Sequence, residues 1–63
     1  MEIRLKQVRE LKGMTQEELA DKANISRQTI VNLESGGVVT TSTKTMLKIA
    51  KALNVKVTDI FLF

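Results

Sequence analysis

Sixty-three residues, 43% hydrophobic and 27% charged with a net charge of +3, describe one small globular domain spanning the whole chain. Cysteine and histidine are both absent, which excludes disulfide staples, thiolate or imidazole zinc sites and histidine-based acid–base catalysis. A chain this short also lacks the walls to enclose a substrate, so we expect no enzyme, no cofactor and no small-molecule substrate.

Surface scalings put the area buried on folding at roughly 6,000 Å². Its apolar part is worth on the order of 90 kcal/mol, about the same as the entropy lost in ordering the chain. With so little to spare, the domain should be helical and rich in local contacts. No apolar run approaches the ~20 residues of a membrane helix. The opening Glu2 and Arg4 do not resemble the basic stub of a signal peptide, so a cytoplasmic chain without a membrane partner is expected. The basic balance suits an anionic partner, although many ordinary domains carry as much charge.

Taken in chain order, Leu5, Val8 and Leu11 sit at helical spacing before Gly13, which predicts a first helix over about 2–12. Met14 should fold back onto the core. Thr15-Gln16-Glu17-Glu18 reads as an N-cap and capping box, opening a second helix over about 16–23 that stops at Asn24. Ile25 precedes Ser26, another good N-cap. Ile30 and Leu33 then mark a third helix over about 27–35, ended by Ser35-Gly36-Gly37. Val38-Val39-Thr40-Thr41 predicts an extended loop. Ser42 or Thr43 caps a fourth helix carrying Met46, Leu47, Ile49, Ala50 and Leu53, with Asn54 as its terminator. Val57 to Phe61 forms a short last turn. Five helices follow, with no strand required: an all-α bundle.

Only Asn24 to Ser26 separates the second and third helices, the geometry of a helix-turn-helix over about 16–35. Ala20 is small enough for the crossing point. Asn24 tolerates the positive φ that the turn demands. Leu19, Ala23, Ile25, Ile30 and Leu33 supply the apolar contacts between the two axes.

With Thr15-Gln16-Glu17-Glu18-Leu19-Ala20 and Ser26-Arg27-Gln28-Thr29-Ile30-Val31-Asn32-Leu33-Glu34-Ser35-Gly36, and on through Met46 to Phe61, the chain closely resembles the Cro/C1-type (XRE) helix-turn-helix regulators. The resemblance implies a compact five-helix bundle of the lambda-repressor-like type. It also implies a DNA-binding transcriptional regulator, a repressor in our reading, acting as a homodimer on an inverted-repeat operator in double-stranded DNA. The position of Gln16 matches one whose amide meets a phosphate at a helix N-terminus. Arg9 and Glu34 match positions that form a structural ion pair between the first and third helices.

The third helix carries its own chemical signal. Arg27, Gln28, Val31 and Asn32 share one face: an arginine fork for guanine, two amides for adenine, and a methyl surface for thymine. The bland alternative is a solvated polar face. Ser26 and Thr29 are placed to reach phosphate, and Lys44 is the nearest cation beyond the loop. Ser26 also serves as a cap. Family members often carry basic residues and proline between the third and fourth helices. This chain has Gly37, Val38, Val39 and threonines there, so the salt dependence of binding should be shallow. Lys56 replaces a common capping serine, which predicts a frayed last helix. Ile60, Phe61, Leu62 and Phe63 are too apolar for a free tail, and we expect them at a dimer interface. The rival reading, from another class, is an antitoxin-like or regulator-docking protein-interaction module on the same fold. The neutral loop and the apolar tail favour it; the polar third-helix face opposes it.

Overall fold

Local hydrogen bonds start and stop most of the helices in this protein. The computed structural model describes residues 2–35 and 42–62, in the order β1 (Glu2–Ile3), α1 (Leu5–Leu11), α2 (Gln16–Ala23), α3 (Arg27–Glu34), α4 (Thr43–Leu53), α5 (Val57–Ile60) and β2 (Phe61–Leu62). The Gly36-Gly37 stop, the extended loop expected at Val38 to Thr41 and the interface role expected of Phe63 all lie outside the described residues.

Thr15, Ser26 and Ser42 cap α2, α3 and α4, each accepting from the backbone N–H three residues on at 3.0–3.2 Å. At α2 the box is complete, because Thr15 N–H donates back to Glu18 Oε1 at 3.0 Å. Three helix ends share another device. Gly13, Asn24 and Asn54 take the left-handed conformation, at φ of 70°, 56° and 57°. In each case the following residue closes the turn: Met14 N–H donates to Arg9 O, Ile25 N–H to Ala20 O and Val55 N–H to Ala50 O, at 3.0–3.1 Å. Those three residues are apolar, and all pack against the core. The sharp turn and the inward anchor are therefore the same two residues each time.

Leu5, Leu19, Ile30, Ile49, Leu53, Ile60 and Phe61 form the fully buried centre, with Ala20 and Ala23 where α2 meets its neighbours. Two residues expected inside are outside. Leu11 is 84% exposed and Leu47 is 47% exposed. At 3.6 residues per turn, Leu11 lies about 120° round the helix from Leu5, whereas Arg9 lies only about 40° away. The inner face of α1 is completed by Arg9, which is buried.

The ends of the chain also depart from expectation. The first helix begins at Leu5 rather than near residue 2, and the fold includes a two-stranded antiparallel sheet. Glu2 sits opposite Leu62 and Ile3 opposite Phe61, and Arg4 N–H donates to Ile60 O at 2.7 Å. Ile60 and Phe61 have no exposed surface, so they belong to this subunit's own core and are not available as a contact between copies. Leu62 is half-buried. Nor is α5 left uncapped. The Lys56 ammonium cannot accept a hydrogen bond, but its backbone N–H donates to Asp59 Oδ2 at 3.0 Å, which closes the turn from the other side.

Candidate nucleic-acid interface

The third helix divides by face. Ile30 and Leu33 point into the core, while Arg27, Gln28 and Asn32 are exposed and Val31 is half-exposed. These four side chains therefore share the outward stripe. Within it, Gln28 Nε2 donates to Asn32 Oδ1 at 2.9 Å, an i,i+4 bond that spacing alone does not reveal. Such an exposed bond is worth only a few tenths of a kcal/mol. Ser26 Oγ, besides capping α3, lies 2.8 Å from Thr29 Oγ1. Both hydroxyls thus cluster at the N-terminus of the helix, beside its unpaired backbone N–H groups. Lys44 is exposed in the first turn of α4.

Behind the stripe is a tight polar cluster. Arg9 Nε donates to Glu34 Oε2 at 2.7 Å and Arg9 Nη2 to Glu34 Oε1 at 3.1 Å, a two-pronged bond between α1 and the last residue of α3. The third nitrogen, Nη1, donates to the Met14 carbonyl at 2.7 Å, which ties down the α1–α2 connection. Side-chain exposure is only 11% for Arg9 and 6% for Glu34, so this pair is screened little by water. The hydrogen bond to Glu34, opposed by burial and helped by the charges of Glu34 and Glu10, holds the Arg9 guanidinium above its ordinary pKa. Among the described residues no buried side-chain polar atom lacks a partner.

Gln16 joins the same cluster. Its Nε2 donates to Glu34 Oε1 at 3.1 Å, while its side chain borders an open cleft of about 400 Å³. Arg27, Thr15 and Glu17 line the cleft as well, so the first residue of α2 and the first residue of α3 share one opening. Two parts of this arrangement escape sequence reasoning: the Met14 carbonyl as a partner of Arg9, and the link from Gln16 to Glu34. A glutamine spaced eighteen residues from a glutamate has no periodic relation to it; only the helix crossing brings them together. Among the described residues there is no cluster of metal-ligating side chains, and no helix is long and apolar enough to cross a membrane.

The helix-turn-helix family profile matches residues 5–60, nearly the whole chain. The chain is 46% identical over its full length to an uncharacterised HTH-type transcriptional regulator of Methanocaldococcus jannaschii, of which it covers 94%. A second uncharacterised HTH-type transcriptional regulator, from Archaeoglobus fulgidus, is also 46% identical over the full chain and covered to 87%. A third, YgzD of Bacillus subtilis, is 36% identical over 61 residues, with 97% of this chain and 91% of the relative aligned.

Proposed function

The chain belongs to the Cro/C1-type (XRE) helix-turn-helix family, and from that premise we propose that it binds double-stranded DNA by sequence and regulates transcription, as a repressor. The observation that carries this reading is the outward stripe of Arg27, Gln28, Val31 and Asn32 on a helix whose opposite face is core. An arginine fork and side-chain amides are the groups that discriminate base edges in the major groove. Gln16, Ser26, Thr29 and Lys44 grip phosphates on either side, each contact adding affinity without sequence information. The Arg9–Glu34 pair contacts no base. It sets the angle at which α3 leaves the domain.

Two copies reading successive major grooves require an inverted repeat with half-site centres about 34 Å apart. We propose a homodimer on such an operator, with half-buried Leu62 of β2 at the contact.

Selection of bound duplexes from a random pool tests the reading directly, giving sequence and symmetry together. On the selected site Gln28→Ala should lose about 1–3 kcal/mol, roughly 5- to 150-fold, with little change on mixed-sequence DNA. Equal losses on both would reject base reading by Gln28. Failure of the wild-type protein to bind any duplex at low salt would leave the protein-interaction module as the function.

A further inference from the structure

We propose that Glu34 is a positioning residue for the DNA backbone: its carboxylate fixes the amide of Gln16 in one orientation, nitrogen inward, so that a single defined N–H remains to meet a phosphate. The inference rests on the reading of Gln16 as a phosphate contact and says how that contact is made.

A primary amide has two faces, one that donates and one that accepts. In free solution the two exchange by a simple flip, and only the donor face suits a phosphate oxygen. Glu34 removes the choice. Its Oε1 lies 3.1 Å from Gln16 Nε2, and a flip would bring the Gln16 carbonyl oxygen against a carboxylate oxygen, two acceptors in contact. The carboxylate is itself immobile, because both of its oxygens accept from Arg9 and its side chain is only 6% exposed. Arg9 already balances the charge of Glu34, so the bond from Gln16 is not needed to neutralise it. The effect of that bond falls on Gln16, which borders the open cleft shared with Arg27.

The test is a scan in which each phosphate of the selected duplex is replaced, one at a time, by an uncharged methylphosphonate. Besides the phosphates met by Ser26, Thr29 and Lys44, the wild-type profile should contain one per half-site, at the N-terminus of α2, whose neutralisation costs about tenfold in affinity, the scale of a hydrogen bond to a charged group. That peak should vanish in Gln16→Met and vanish equally in Glu34→Leu, which leaves the amide no acceptor. The double variant should bind no more weakly than the weaker single one. General damage to the fold would lower every position alike and leave the peak in place. A peak that survives Glu34→Leu but not Gln16→Met overturns the positioning role and leaves the phosphate contact standing. A peak that survives Gln16→Met overturns both. Should Glu34→Leu not fold, the wild-type protein still decides the matter by side-chain ¹⁵N relaxation. The Gln16 amide should be as rigid as the backbone, and exposed Gln7 mobile. Equal mobility of the two refutes the proposal.

Discussion

Removing the Arg9 guanidinium should be the most damaging single change to this domain that leaves its apolar core untouched. In Arg9→Met the Glu34 carboxylate stays at 6% exposure with only the Gln16 amide as partner, and the Met14 carbonyl loses its donor as well. Stranding one member of a buried pair costs about 3–5 kcal/mol. At about 0.05–0.15 kcal/mol per residue, a chain of 63 has only ~3–9 kcal/mol in all. The variant should therefore melt at least about 12 °C lower, and at the lower end of that range should not fold at all. Arg9→Met combined with Glu34→Leu removes both charges and should recover to within about 1–2 kcal/mol of wild type. The chain has no tryptophan or tyrosine, so urea unfolding followed by far-UV circular dichroism is the suitable assay. A single variant within about 1 kcal/mol of wild type, or a double no better than the single, would refute the reasoning. The raised Arg9 pKa gives the sign of the pH dependence. The contribution of the Arg9 charge is complete at neutral pH, below the unfolded arginine pKa, and is lost only as pH climbs through the folded one. From neutral pH up to the lysine range near about pH 10, wild type and the double variant should therefore show no difference in slope.

Other changes report on the backbone, the surface and the chain ends. Asn24→Gly should raise stability by about 0.5–1 kcal/mol, since φ of 56° strains any residue with a Cβ; a lower melting temperature would contradict this. Leu11→Lys should stay within about 0.5 kcal/mol of wild type, because 84% of the leucine already faces water. A larger loss in the same urea titration would place Leu11 in a contact the domain does not display. Phe61→Ala should cost about 3–5 kcal/mol in the same urea titration, because the ring has no exposed surface; a loss under about 1 kcal/mol would take it out of the core.

What the sequence makes legible here is what local chemistry decides. The caps at Thr15, Ser26 and Ser42 and the left-handed ends at Asn24 and Asn54 depend on side chains within three or four residues, so composition and spacing suffice to place them. The outward stripe of α3 is legible for the same reason: once Ile30 and Leu33 are inside, Arg27, Gln28 and Asn32 have only the other face to occupy. At Leu11 spacing misleads. Apolar residues at positions 5, 8 and 11 look like one stripe, yet the period of 3.6 carries position 11 off the face and brings Arg9 onto it. A buried arginine is an improbable reading of a helix until its partner is known, and that partner is twenty-five residues away on α3.

The apolar ending makes the same point about distance in the chain. From Ile60 to Phe63 the sequence favours an interface between copies, with a core closed within one subunit as the alternative. Nothing in those four residues decides between them. The deciding element is at the other end of the chain, where Glu2 and Ile3 give up helix for two residues of ladder and pair with Leu62 and Phe61. In doing so they bind both termini into the same layer as α5, and Ile3 joins the rim of the core that encloses Ile60 and Phe61. A two-residue strand is too short to leave a period in a sequence, and marginal by itself in water. It exists because the helices bring the two ends together, and the apolar residues it encloses then hold it there. Any surface through which two copies meet must therefore be built outside Ile60 and Phe61, so a dimer can form or dissociate without opening the core of either subunit.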